Sequence, residues 1–98
     1  MIELGSTEEE PYTLVVTPPA RRALAVGLPE PVATAVIDFL TTALIDNPRR
    51  VGKPLRDELR GVFSARRGTY RVLYRVLDDQ REVVVLRVEH RRDVYRPH

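Results

Sequence analysis

Hydrophobic spacing divides the chain into a helical first half and a period-two second half. Tyr12 to Thr17 (YTLVVT) is aromatic and β-branched and stops at Pro18-Pro19, which predicts a first strand. Proline suits a first helical turn, where no N–H is required, and Thr17 stands where a cap would. Ala20, Ala23 and Leu24 then recur on one face opposite Arg21 and Arg22, so a short helix is expected to end near Gly27. From Pro29 to about Ile45 the apolar set Val32, Val36, Phe39, Leu40 and Ala43 recurs at steps of three and four until Asn47-Pro48, predicting a second, longer helix. Only a few residues separate the two, as in an antiparallel helical hairpin.

Residues 46 to 61 contain Gly52, Pro54 and Gly61 and read as a basic, irregular loop. Beyond Gly61 the period becomes two. Val62 to Arg67, Tyr70 to Leu77 and Glu82 to Glu89 are three β-rich runs, joined by Gly68-Thr69 and by Asp78-Asp79-Gln80-Arg81, an antiparallel meander. The order β-α-α-β-β-β predicts an α+β fold: a small antiparallel-rich sheet with an N-terminal strand and a two-helix hairpin on one face. Alternation sends Tyr70, Val72, Tyr74 and Val76 to one face and Arg71, Leu73, Arg75 and Leu77 to the other. Tyr70, Tyr74, Phe39 and Phe63 read as core. Ser64 and Arg66 share a face, and Val84, Leu86, Val88 and His90 share one if the last strand is regular.

At 98 residues, 43% apolar and 31% charged, the chain holds one core, expected over residues 11–98. Residues 1–10, with Glu3, Glu8, Glu9 and Glu10 and no base, are expected to be a flexible acidic tail. Absence of Cys excludes disulfides and thiol chemistry, and a reducing cytoplasm is the simplest compartment. No apolar run reaches the roughly 20 residues of a spanning helix, and no signal-peptide pattern opens the chain, so the expectation is a soluble, unexported protein without a membrane partner. The net charge of +2 hides fourteen bases against seven acids in residues 49–98. Such a field suits a polyanionic partner, nucleic acid or an acidic protein segment. Fifteen of the sixteen bases are Arg, which GC-rich codon usage would equally produce.

Two His, His90 and His98, supply no usual zinc set, the glycines are too isolated for a phosphate loop, and no Ser-nucleophile motif is present. No metal and no cofactor are therefore expected. What is left is a set of Arg with one His and several Tyr at strand ends, and the run His90-Arg91-Arg92-Asp93-Val94-Tyr95-Arg96. That inventory suits RNA cleavage without metal, in which a ribose 2′-OH attacks its own phosphate. Arg holds phosphate oxygens in pairs and keeps its charge, His90 exchanges protons near neutrality, and a Tyr stacks on a base or orients a phosphate. A solvated basic tail would have the same composition.

The segments GKPLRDELRGVFSARRGTYRVLYRV and VEHRRDVY, together with the element order from Tyr12 onward, resemble the RelE/ParE superfamily of bacterial type II toxins, RelE branch. The resemblance implies a small sheet backed by a helical hairpin and a toxin that enters the ribosomal A site, cuts the mRNA there and is neutralised by a cognate antitoxin. It makes Arg71, which follows Gly-x-Tyr, a transition-state phosphate binder, and Arg66 a substrate-binding or charge-stabilising base. It gives Arg91 and Tyr95 the roles of assisting the leaving 5′-oxygen and orienting the cleaved nucleotide, with His90 a general acid in some relatives. Lys53, Arg56 and Arg60 are expected to grip ribosomal RNA. Ser64 departs from the family, which usually has a base there.

The leading expectation is thus a metal-independent, ribosome-dependent endoribonuclease leaving a 2′,3′-cyclic phosphate and a 5′-OH. The alternative is a ParE-like protein that inhibits DNA gyrase by surface contact without catalysis, since one fold serves both. An inactive relative that only binds RNA or a partner is the third reading.

Overall fold

The computed structural model describes residues 10–91; the acidic segment 1–9 and Tyr95 lie outside the described residues. Strand β1 (Thr13–Val16) leads into α1 (Pro18–Arg22), which passes directly into a π-helical turn, Ala23–Gly27. Helix α2 (Glu30–Phe39) likewise continues as a π-helical turn, Leu40–Leu44. A two-residue strand β2 (Lys53–Pro54), a 3₁₀ turn at Asp57–Leu59, and strands β3 (Phe63–Arg67), β4 (Tyr70–Leu77) and β5 (Glu82–His90) complete the order. Five strands form one mixed sheet in the order β1-β5-β4-β3-β2; β1 runs parallel to β5 and the other neighbours are antiparallel. No helix among the described residues is long and apolar enough to cross a membrane.

The helices cover one face of this sheet. Ala20, Val36, Phe39, Leu40 and Leu44 pack on Ala65, Tyr70, Val72, Tyr74, Val83, Val85 and Val88, and no polar or charged residue is buried among the described residues. Phe39 meets Tyr70 edge-on at 6.4 Å between ring centroids, and Phe63 stacks on Tyr74 at 5.6 Å, which confirms these aromatics as core. No helix among the described residues covers the opposite face.

Four details depart from the sequence pattern. Ala43 is exposed and Leu44 is buried in its place, because the π turn widens the helix and moves the apolar stripe on by one residue. Thr41 and Thr42 hydroxyls donate to the Ile37 and Asp38 carbonyls at 2.8 and 2.6 Å, satisfying acceptors in that turn. Thr17 occupies the N-cap position of α1 without capping it; its hydroxyl lies 2.9 and 3.0 Å from the Val85 and Leu86 carbonyls of β5. The loop 46–61 contains β2, an edge strand too short and too proline-marked to announce itself.

The fourth departure shapes the site. Leu73 pairs with Arg87 and Tyr74 with Val85, so Leu86 has no partner on β4. This bulge reverses the alternation of β5. Val83 and Val85 face the core before it, Val88 and His90 face the helix side after it, and Arg87 and Glu89 are turned to the open face. The regular grouping of Val84, Leu86, Val88 and His90 is therefore broken at Leu86.

Candidate functional site

The β3–β4 turn sets the first pair of cations. Gly68 supplies a φ of 56°, as the first position of a II′ turn demands, and the register closes with Arg67 opposite Tyr70 and Arg66 opposite Arg71. Arg66 and Arg71 consequently leave the open face side by side, their Cβ atoms about 5 Å apart by strand geometry, an unfavourable pairing of like charges. Glu89 relieves it. It pairs with Arg71 from the other side, across β4 and β5, and both Nε and Nη2 of Arg71 donate to its Oε1, at 3.1 and 2.5 Å. The second carboxylate oxygen of Glu89 lies 3.8 Å from Arg87 Nε.

Arg66, Arg71 and Arg91 line one cavity of about 180 Å³ together with Glu89, Tyr70 and the Gly68-Thr69 turn. The Arg91 N–H donates to the Thr69 carbonyl at 2.6 Å, which ties the end of β5 to that turn. Small-molecule pockets start at about 300 Å³, so this hollow suits one phosphate and its immediate neighbours rather than a wholly enclosed ligand. Three guanidinium groups around one carboxylate leave it cationic. Burial pushes the Tyr70 phenol above its ordinary pKa, against the nearby charge of Arg67, so it stays protonated and neutral across physiological pH.

The remaining candidates fall elsewhere. His90 pairs with Tyr70 on the helix side of the sheet and is absent from the cavity lining. Lys53, on β2, pairs with Ser64 and so joins Arg66 and Arg71 on the open face. Arg56 and Arg60 flank the 3₁₀ turn and are exposed. Glu89 and Arg87 are not among the sequence candidates; regular alternation leaves them on the face of Val83 and Val85, which the structure buries, and two charged residues sharing that face are the signal that the strand is bulged. Among the described residues no group of three or more His, Cys, Asp or Glu side chains could hold a metal ion.

A second polar cluster lies at the other end of the strands. Arg49 holds Asp78 through two parallel bonds of 2.9 and 2.7 Å, the Tyr12 hydroxyl donates to the same carboxylate at 3.0 Å, and Arg81 covers the Tyr12 ring. The Arg49 bond, then that of Tyr12, holds the Asp78 carboxyl below the usual aspartate range. This clasp joins β1, the loop after α2 and the β4–β5 turn. It has the form of a structural tie, since its charges are paired with each other.

Comparison with known proteins bears on the family and the fold. The family described as ParE toxin of type II toxin-antitoxin system, parDE, matches residues 14–95. Toxin RelG of Mycobacterium tuberculosis is 56% identical over 86 residues, 88% of this chain and 98% of that protein. Toxin RelE of the same organism is 41% identical over 90 residues, 92% of each. The toxin-antitoxin complex RelBE2 from M. tuberculosis contains a chain that superposes with a TM-score of 0.81 at 55% identity, covering 84% of this chain and all 100% of that one. An archaeal RelE-RelB complex from Pyrococcus horikoshii has the same fold, with a TM-score of 0.64 at 23% identity over 84% of this chain and 97% of that one.

Proposed function

Because the chain belongs to the RelE/ParE superfamily of type II toxins, we propose that it is a ribosome-dependent endoribonuclease that cuts mRNA in the A site without a metal. The observation that carries this reading is the convergence of Arg66, Arg71 and Arg91 on one cavity of phosphate size. In the proposed reaction the ribose 2′-OH attacks the adjacent phosphorus, the bond to the 5′-oxygen breaks, and a 2′,3′-cyclic phosphate and a 5′-OH result. Arg71 and Arg66 neutralise the equatorial oxygens as charge builds, where fixed donors lower a barrier most. Arg91 stabilises the departing 5′-oxygen and Tyr95 orients the nucleotide. His90, facing the helices, takes no part.

Lys53, Arg56 and Arg60 would grip the ribosomal RNA backbone, a sequence-independent role for exposed bases. Lys53 also offers, one strand over, the positive charge that Ser64 does not supply. The ribosome would align the 2′-OH with the phosphate, and alignment alone is worth several kcal/mol, on the order of 7 in favourable intramolecular cases. A cognate antitoxin, as in the RelBE2 complex of the 55% identical relative, would silence the protein in the cytoplasm by covering this basic face. We further take residues 11–98 as the toxin domain and the acidic residues 1–10 as an appendage to it.

The test is cleavage of mRNA on programmed ribosomes by the wild-type protein and Arg71→Ala, with naked RNA as control. Cuts confined to the A-site codon and lost with Arg71→Ala support the reading. The match to a family named for ParE favours a second one, inhibition of DNA gyrase by surface contact. Growth arrest without any cut, accompanied by loss of gyrase supercoiling activity, would replace the first reading by the second.

A further inference from the structure

Arg71 is held along one edge. A guanidinium carries five donors in a plane and offers two edges for paired bonding to an anion. In Arg71 the Nε–Nη2 edge is taken, both groups donating to the same oxygen of Glu89 at 3.1 and 2.5 Å. The edge left for a phosphate is the tip, Nη1–Nη2. On its β3 side Arg71 faces a like charge, Arg66, which repels that tip. Glu89 itself is steadied by Arg87, 3.8 Å from its other oxygen, and its side chain is only 19% exposed. The carboxylate therefore lies between two cations of the open face, with its orientation set from both sides.

We propose that Glu89 is a positioning residue for the cleavage: it fixes the Arg71 guanidinium against the repulsion of Arg66 so that the Nη1–Nη2 edge receives the scissile phosphate. This inference rests on the nuclease reading. It has an unusual signature, because the same carboxylate also lowers the net positive charge of the cavity and with it the attraction for a phosphate. Removing it leaves the cavity more cationic, which favours RNA binding, while freeing Arg71 to leave its place, which disfavours the reaction. A residue that merely supported the strand would lower binding, rate and stability together.

The experiment is single-turnover cleavage on programmed ribosomes with the full-length wild-type protein and Glu89→Ala, Glu89→Gln and Glu89→Asp, with thermal unfolding of each in parallel. Gln keeps an oxygen that accepts from Nε and Nη2 but has no charge; Asp keeps the charge but falls one methylene short. With Arg71 displaced, Glu89→Ala and Glu89→Asp are expected to cut on the order of 10²-fold more slowly at saturating toxin. The half-saturating concentration of Glu89→Ala should be unchanged or lower. Glu89→Gln should recover most of the wild-type rate. Full-rate cleavage by Glu89→Ala, or a Glu89→Asp protein faster than Glu89→Gln, would overturn the role assigned to Glu89. Absence of A-site cuts by the wild-type protein would instead overturn the nuclease reading.

Discussion

Replacing Tyr74 by Phe removes one oxygen from the best-buried aromatic of the core. The Tyr74 ring is fully buried, and its hydroxyl donates to the Pro48 carbonyl at 2.5 Å, pinning the loop after α2 to the sheet. The substitution leaves that carbonyl without its partner in a place from which water is excluded, a loss of about 1–3 kcal/mol. For a domain of this size each kcal/mol shifts the melting temperature by roughly 4–8 °C. A drop of at least about 4 °C is therefore expected in calorimetry. Gly52 supplies a control for the mechanism, since a Cβ there would overlap the Tyr74 hydroxyl and stand 3.0 Å from the Ser64 carbonyl. Gly52→Ala should thus be more damaging alone than in the Tyr74→Phe background, where part of the overlap is gone. Additive effects, or an unchanged melting temperature for Tyr74→Phe, would refute the idea that this one contact anchors the loop. The stake is functional as well, because the loop continues into β2 and Lys53.

Further outcomes follow from the same geometry. The Asp78 carboxyl is held low by Arg49 and Tyr12, so its contribution to stability is complete above the ordinary aspartate value of 3.8 and is lost as pH falls through the lowered folded value. Asp78→Asn should accordingly remove part of the acid sensitivity seen in pH-dependent unfolding. The Tyr74 phenol is pushed up to about 12 by burial, so its share of stability is full below the ordinary tyrosine value of 10.0 and is lost as pH rises through about 12; Tyr74→Phe should flatten that alkaline limb. Lys53→Ala should weaken RNA binding and lower the slope of log affinity against log salt by about 1, measured by fluorescence anisotropy. Thr17→Val takes away the hydroxyl bonded at the Val85 and Leu86 carbonyls and should cost about 1 kcal/mol in urea unfolding.

The elements were legible where a single period persists. Strands β3 and β4 and the long helix follow from runs that keep one spacing from end to end, while the side-by-side placement of Arg66 and Arg71 rests on the cross-strand register that the turn at Gly68-Thr69 closes, which alternation within one strand does not give. What the sequence concealed lies wherever the backbone inserts a residue. The π turn at Leu40–Leu44 exchanges Ala43 for Leu44, and the bulge at Leu86 exchanges His90 for Glu89. Neither insertion changes the composition of its segment, and each is tied to tertiary contacts: Leu40 and Leu44 of the π turn pack in the core, and Thr17 reaches the carbonyls at the bulge. Strand β2 was hidden for another reason, its two residues carrying too little pattern to compete with the Gly and Pro around them.

The bulge at Leu86 gives β5 something like a reading frame. Every side chain after it is assigned to the open face or to the core by a count of two that begins at Leu86, a residue that is itself no part of the cavity. A strand that held Leu86 in regular register, without the bulge, would keep all its charged side chains in the sequence and deliver them to the wrong address: Arg87 and Glu89 toward the helices, Val88 and His90 toward the open face. Two homologous strands can therefore share every letter of the VEHR segment and present opposite chemistry. The last four residues of this strand can be compared between relatives only after it is known which of them keep the frame.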